Sequence, residues 1–372
     1  MPADCRTDIA GLAAIPSENT DRYAAALEQM IAAVTREIGE RTDLVQLIGH
    51  NPLQMVAMNQ RHHGQFMLTV FRLNSFELLG RMLPWFYRAC DVRGISFDCC
   101  LLELHAWKKV LQDNRVEDAA GPISAIYDWL ISHHDALAEL SRNADATGFS
   151  RPPDGDGLQQ IFTALLLQGD HGGCLKLAEQ SITTPAELRH FYEHVVRHAL
   201  YTIGTLWERN EISVAEEHQA TAIVGRVTSA LYGRFVATPQ TKGTAIVSAA
   251  PNEFHEVGAR MVADILELDG WDVTYVGASI PTAELLDLLK KARPFLLALS
   301  VATPLNLEKA RMVIASIKGI AELSSMRILA GGLAFSIVPD LWQDFGADGY
   351  AANLDDTIAH CNQWWQEGQE HV

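Results

Sequence analysis

The chain has 372 residues, of which 48% are hydrophobic and 20% are charged, an ordinary globular composition with enough length for two or three domains. Its 46 acidic and 29 basic side chains leave a formal net charge of −17, which repels phosphate backbones and argues against direct binding to nucleic acid. The chain has no run of about 18 apolar residues and no signal-peptide pattern, so we expect a cytoplasmic protein without membrane contact.

Residues 1–150 are predicted to form an all-helical domain, because apolar residues recur every three or four positions. The expected helices run from Arg22 to Ile48, from Phe66 to Cys90, from Phe97 to Leu111 and from Pro122 to Leu140. After them, residues 143–157 combine Gly, Pro, Asp and Ser with few apolar side chains, which is typical of a linker.

Residues 151–240 again have helical periodicity, and four helices are expected there. Thr184 followed by Pro185 marks one helix start, and Ser213 followed by acidic residues marks another. From residue 241 to 372, five strand-like segments alternate with helical ones. That alternation predicts a doubly wound parallel sheet of the flavodoxin-like kind.

Candidate ligand-binding residues follow the strands of this predicted sheet. Glu253, His255 and Gly258 form an ExHxxG segment after the first strand, Ser300 ends the third, and Gly331 with Gly332 ends the fourth. Ligands of open α/β sheets bind outside the carboxyl ends of the strands. A neutral imidazole binds transition metals, and a carboxylate two residues away can hold its second nitrogen and fix its tautomer.

The spacing of these residues resembles the cobalamin-binding signature, written DxHxxG, SxL and GG. Between Gly258 and Ser300 lie 41 residues (259–299), and between Ala302 and Gly331 lie 28 (303–330). The resemblance implies a corrinoid cofactor with His255 as the lower axial ligand of cobalt and Glu253 as its partner. It further implies that Gly258 lets the following helix start close to the corrin, and that the nucleotide tail lies against Ser300, Thr303, Gly331 and Gly332. Two positions depart from the signature: Glu253 replaces Asp, and Ala302 replaces Leu.

The helices before the sheet carry a second pattern, in which nine residues separate Trp207 from Glu217 and His218. This Wx9EH pattern resembles the CarH-type light sensors, and it implies that these three side chains enclose the 5′-deoxyadenosyl group of adenosylcobalamin. An indole wall and polar groups for ribose hydroxyls suit that ligand. Glu208 stands where the sensor carries a histidine, which leaves open what would ligate cobalt after the adenosyl group departs.

In its long helices, many aromatic residues and position before the cobalamin part, the first domain resembles the helical domain of photocobilins, which pair a cobalamin with biliverdin. A bilin needs flat apolar walls, cations for its propionates and a polar partner for its ring nitrogens. The residues assigned to these roles are Trp85, Tyr87, Trp107 and Tyr127 as walls, Arg72, Arg88 and Arg93 as cations, and His105 as polar partner. The alternatives are a helical dimerisation domain whose aromatic residues form the core, or a haem site at His105.

Together these resemblances predict a non-enzymatic light sensor with adenosylcobalamin and biliverdin as chromophores. They imply that light breaks the cobalt–carbon bond and that a changed quaternary structure signals to an unidentified output protein, so a homo-oligomer is expected. Two alternatives stay open: a corrinoid protein that carries a methyl group between methyltransferases, and a cobalamin-dependent antirepressor or other interaction module. Methyl carriers have no need to recognise an adenosyl group.

Overall fold

The structure is a computed structural model, and it describes residues 9, 11–116, 121–142, 157–235, 239–338 and 340–370. The chain divides into two compact units, residues 1–150 and residues 151–372, which are described separately. Nearly all of the predicted linker lies outside the described residues. Within the described ranges, no helix is both long and apolar enough to cross a membrane.

The described part of the first unit is helical, as predicted. Its helices are α1 (Ser17–Gly39), α2 (Leu44–Ile48), α3 (Gln54–Leu73), α4 (Phe76–Asp91), α5 (Phe97–Asp113), α6 (Pro122–Ser132) and α7 (His134–Ser141). Three of the four predicted segments are each divided into two helices. The second segment breaks at Asn74, which adopts a left-handed conformation, and Ser75 then caps α4 by accepting a hydrogen bond from the Leu78 amide. Apolar periodicity continues through such breaks and therefore does not reveal them.

Four helical stretches precede the sheet in the second unit. They are α8 (Gly157–Leu167), α9 (His171–Ser181), a stretch made of α10 (Pro185–Phe191), a π-helical turn (Tyr192–Val196) and α11 (Arg197–Glu208), and α12 (Val214–Tyr232). We call this group the cap. Both predicted starts are correct, since Thr184 with Glu187 and Ser213 with Glu216 form reciprocal capping boxes. The π-helical turn was not predicted.

The rest of the second unit alternates strands with helices. The strands are β1 (Thr244–Ala249), β2 (Asp272–Gly277), β3 (Leu296–Ser300), β4 (Arg327–Gly331) and β5 (Gly349–Ala351). The helices are α13 (Val257–Leu268), α14 (Thr282–Ala292), α15 (Leu307–Lys318), α16 (Leu333–Ile337), α17 (Leu341–Asp344) and α18 (Leu354–Glu370). All strand pairs are parallel, in the order β2-β1-β3-β4-β5. The predicted flavodoxin-like architecture is confirmed.

The cap and the helices of the sheet share one hydrophobic core, to which α13 contributes Met261 and Ile265. Polar contacts from the π-helical turn accompany this core: the Tyr192 hydroxyl donates to Asp264 at 2.8 Å, and Glu193 accepts from the Leu354 amide at 3.0 Å. A π-helical turn holds an extra residue, which turns consecutive side chains toward the same side. The cap is therefore fixed to the sheet at a point on α13 and at the start of α18.

Candidate functional site

The side chain of Glu253 organises the loop that follows β1. Glu253 is fully buried, and its Oε1 accepts hydrogen bonds from the His255 amide at 3.1 Å and from His255 Nδ1 at 2.6 Å. With Nδ1 committed to the carboxylate, Nε2 is the nitrogen left for a metal. The His255 side chain is 70% exposed, so the ring points out of the protein core at the carboxyl edge of the sheet.

The second oxygen of Glu253 binds the loop that follows β3. Oε2 accepts from the Ala302 amide at 3.1 Å, from the Thr303 amide at 2.8 Å and from Asn306 Nδ2 at 3.1 Å. Thr303 Oγ1 also lies 3.3 Å from His255 Nδ1. One carboxylate thus joins the two loops that flank the strand-order reversal between β1 and β3, where ligands of such sheets bind.

The surroundings of Glu253 keep it ionised. Burial alone would raise its pKa, but hydrogen bonds from His255, Thr303 and Asn306 outweigh burial and lower the pKa to about 2. The hydrogen bond to this carboxylate in turn raises the pKa of His255. A charged carboxylate behind the imidazole increases its basicity and therefore its strength as a metal ligand, although a proton and a metal compete for the same nitrogen.

The residues predicted to contact the nucleotide tail differ in their contacts within the protein. The Ser300 hydroxyl makes no hydrogen bond to a described residue, whereas Thr303 contacts Glu253 through both its amide and its hydroxyl. Gly332 has φ +96°, and a Cβ built there would lie 2.4 Å from the carbonyl oxygen of Val301. The close approach of the β3 backbone therefore accounts for this glycine without any ligand. At Gly258 and Gly331, an added Cβ would meet no atom closer than 3.5 Å.

The cap carries the three residues of the Wx9EH pattern, of which Glu217 is electrostatically coupled to His255. Glu217 lies in the first turn of α12, where its Oε1 accepts from Thr221 and its Oε2 from His218 Nδ1. Its charge contributes to the raised pKa of His255, so the start of α12 faces the loop after β1. Trp207 is half-buried in the last turn of α11, while the His218 side chain is 75% exposed.

The arrangement can hold a large flat metal cofactor against the carboxyl edge of the sheet. An oriented imidazole with its outer nitrogen available is the donor that such a metal requires. Beside it lies Phe254, which is 75% exposed and offers an apolar surface.

A family model for the B12 binding domain matches residues 243–359, and a second B12 binding domain model matches residues 158–232. These ranges contain the sheet with its ExHxxG loop and nearly the whole cap. The second unit is a cobalamin-binding unit. Neither family model extends into residues 1–150.

Proteins with corrinoid names resemble this chain. The dimethylamine corrinoid protein 2 of Methanosarcina acetivorans is 22% identical over 187 residues, which are 50% of this chain and 84% of that one. The methanol–corrinoid protein of Methanosarcina barkeri is 34% identical over 61 residues, which are 16% of this chain and 24% of that one. Among solved structures, the Methanosarcina barkeri monomethylamine corrinoid protein superposes with a TM-score of 0.49 at 14% identity, covering 55% of this chain and 96% of that chain. The names of the two sequence relatives agree with the expectation of a corrinoid cofactor.

The residues predicted to bind a bilin differ in their burial within the first unit. Trp107 and Tyr127 are fully buried, where Trp107 Nε1 donates to Gln60 and the Tyr127 hydroxyl lies 3.0 Å from His63 Nε2. Tyr87 is also core, whereas His105 is exposed on the outer face of α5. The remaining candidates, Trp85, Arg72, Arg88 and Arg93, are half-buried. This arrangement agrees with the alternative in which the aromatic residues form a helical core.

Asn306 is the contributor that the sequence did not indicate. It is 7% exposed in a 3-10 turn before α15, and it binds both the Glu253 carboxylate and the Asn252 carbonyl. An asparagine shortly after Pro304 is typical of a turn, so the local sequence does not indicate that Asn306 contacts a residue far away in the chain. Only the fold brings it beside a residue 53 positions earlier.

Proposed function

We propose that this chain is a corrinoid carrier protein whose cobalamin exchanges a small organic group, methyl, with a partner methyltransferase. The observation that carries the proposal is the buried Glu253 carboxylate, which orients His255 as an axial ligand at a sheet edge overlooked by the cap. The names of the corrinoid relatives favour methyl as the group. A bound cobalamin would supply a cobalt atom that holds and releases such a group.

The residues of the chain have separable tasks in this proposal. Glu253 holds the Nδ1 proton of His255, so Nε2 faces the cofactor in one tautomer. Thr303 and Asn306 keep the carboxylate in place, and the cap would limit the access of water to a bound cofactor. The proposed domain boundaries remain 1–150, 151–240 and 241–372.

The axial role of His255 is tested by loading the full chain with methylcobalamin in the dark and recording its visible spectrum. We expect His255→Ala to shift the spectrum to that of a cofactor without an imidazole ligand, because no other histidine occupies that position. His190→Ala is the matched control, since His190 is exposed on α10. An unchanged spectrum in His255→Ala would refute the axial role.

A second candidate is an adenosylcobalamin light sensor that signals through its quaternary structure. It is supported by Trp207, Glu217 and His218, whose spacing suits an adenosyl pocket, and by the charge of Glu217, which contributes to the raised pKa of His255. The first unit, which neither family model covers, would then serve in assembly or hold biliverdin as a second chromophore. Only this second candidate requires that the chain recognise an adenosyl group, and only it gives biliverdin a role.

The two candidates differ in which cofactor they retain and in what light does. A methyl carrier should bind methylcobalamin at least as tightly as adenosylcobalamin, and its oligomeric state should not change under green light. A sensor should prefer adenosylcobalamin in the dark, change its oligomeric state on illumination and lose that preference in Trp207→Ala. Gel filtration in the dark and in the light separates them, because photolysis alone occurs in any alkylcobalamin. Added biliverdin should give a red-shifted band with induced circular dichroism only if the first unit binds it.

A further inference from the structure

A second cleft lies at the edge of the sheet opposite the cobalamin site. It has a volume of about 530 Å³ and is lined by residues at the amino ends of strands, including Phe295 before β3 and Arg327 in β4, together with Trp364 from α18. A strand of five residues is roughly 17 Å long. The cleft is therefore a full strand length away from Glu253, and a ligand there would not compete with the corrinoid.

The cleft is lined by two arginines, Arg293 and Arg327, and by one carboxylate, Glu367. Arg293 makes no ion pair or guanidinium hydrogen bond with any residue in the described ranges. Arg327 lies 3.9 Å from Asp348 and 4.0 Å from Glu367, which is beyond hydrogen-bonding distance. Glu367 is the carboxylate that lines the cleft, and Gln363 donates to its other oxygen at 2.9 Å. Two guanidinium groups thus face the cleft with donors to spare, in a chain whose net charge is −17.

The apolar side of the cleft is aromatic. Trp364 is 7% exposed, and the Arg327 guanidinium lies 5.8 Å from the centre of its ring. Phe295 forms the neighbouring wall and packs against Trp365 with ring centres 5.3 Å apart. Guanidinium groups beside aromatic faces bind flat anionic molecules well, since the charge pairs with the anion while the ring packs against the apolar part.

The backbone of Arg293 provides an independent observation. This residue follows α14 in a left-handed conformation with φ 46° and ψ 56°. Glycine is the usual residue there, because a side chain in this conformation costs about 1 kcal/mol. Among the described residues, the Arg293 side chain has no ion pair or hydrogen bond that would offset this cost. Such an uncompensated conformation at the rim of a cleft points to function rather than to stability.

We propose that this cleft binds a small organic anion: a carboxylate or phosphate ester attached to a flat apolar body. Arg293 and Arg327 would hold the anionic group by charge-assisted hydrogen bonds. Trp364 and Phe295 would pack against the apolar part. The site is separate from the corrinoid and independent of which group the cobalt carries.

The test uses phenyl phosphate as the probe and isothermal titration calorimetry of the full chain, with and without cobalamin. We expect one saturable site with a dissociation constant of roughly 0.1 to 1 mM, unchanged by cobalamin. Inorganic phosphate should bind at least tenfold more weakly because it lacks the ring. Phenol should show no saturable binding because it lacks the anion.

Arg293→Gly is the decisive variant, because it removes the guanidinium with the rest of the side chain while glycine is favoured in the left-handed conformation of this residue. We expect a melting temperature equal to or above that of the unchanged chain, together with at least a tenfold loss of affinity for phenyl phosphate. Arg226→Ala, which removes an exposed arginine from α12, should leave the affinity unchanged. The proposal is overturned if phenyl phosphate shows no saturable binding up to about 10 mM, or if Arg293→Gly binds it as well as the unchanged chain.

Discussion

Two buried carboxyl groups of the second unit lie in contrasting surroundings. Glu253, at the carboxyl edge of the sheet, is fully buried and has a pKa lowered to about 2. Asp264, where the cap contacts α13, is 7% exposed and has a pKa raised to about 6 by burial. Both groups lose water to a similar degree, yet their pKa values move in opposite directions.

The difference lies in the number of hydrogen-bond donors around each group. Glu253 receives bonds from two loops, including backbone amides and the His255 ring, whereas Asp264 accepts one side-chain bond, from Tyr192. Donors directed at a carboxylate stabilise the charged form, and burial without them stabilises the neutral form. Glu253 is therefore a permanent anion suited to orienting an axial ligand, and Asp264 is a docking contact that changes its charge near neutral pH.

The largest effect is expected from removing the permanent anion. Glu253→Ala leaves the Ala302 and Thr303 amides and the Asn306 amide group without their acceptor. Because unpaired buried donors cost about 1 to 3 kcal/mol each, we expect the free energy of unfolding of the cofactor-free chain to fall by about 3 to 5 kcal/mol. Urea denaturation followed by circular dichroism measures this change.

Asp264→Ala is the matched control for that experiment, since it removes a buried carboxyl group with a single side-chain donor. Its expected cost is about 1 to 2 kcal/mol, from the small cavity and the lost hydrogen bond of the Tyr192 hydroxyl, which keeps only a 3.5 Å contact with the Thr228 carbonyl. If Glu253→Ala proves no more destabilising than Asp264→Ala, the number of donors does not distinguish the two sites.

A smaller effect is expected from the pH dependence of Asp264. Its folded pKa of about 6 exceeds its ordinary value of 3.8, so the folded chain binds this proton more tightly than the unfolded chain. Its contribution to stability is fully present below about pH 4 and is lost as the pH rises through 6. Asp264→Asn should flatten this dependence and stabilise the chain above pH 7 by up to about 2 kcal/mol.

Denaturation at a series of pH values between 4 and 8 measures that effect. Asp287→Asn serves as the control, because its side chain is 77% exposed on α14 and should leave the profile unchanged. A profile of Asp264→Asn that follows the unchanged chain across this range would show that Asp264 does not carry the pH dependence.

Much of the fold of the second unit could be predicted from the sequence. The apolar strand segments and the capping residues Thr184 and Ser213 are local signals, and they place elements within a few residues of their observed ends. The π-helical turn at Tyr192–Val196 has no local signal, because one extra residue barely alters helical periodicity. In the first unit, the break at Asn74 also has no local signal, because the apolar periodicity continues through it.

The site was predictable to the extent that its residues are close in sequence. Glu253 and His255 are two positions apart, so their pairing follows from spacing alone. The partners of Glu253 after β3 depend on how far a glutamate reaches across the strand ends, and the motif assigned Ser300 and Thr303 only to the nucleotide tail. Glu253 is one methylene longer than the aspartate of the signature, and its carboxylate contacts Asn306. No pattern in the sequence encodes the distance between these two side chains.

The smallest expected effect compares two polar residues near the end of β3, Asn306, which contacts Glu253, and Ser300, which does not. Asn306→Ala removes one donor from Glu253 and should lower the free energy of unfolding by about 1 to 2 kcal/mol. Ser300→Ala removes a hydroxyl that does not contact Glu253 and should change it by less than about 0.5 kcal/mol. Equilibrium unfolding of the cofactor-free chain compares the pair under one condition. If Ser300→Ala proved the more damaging, the motif serine would hold the carboxylate and the assignment to Asn306 would be wrong.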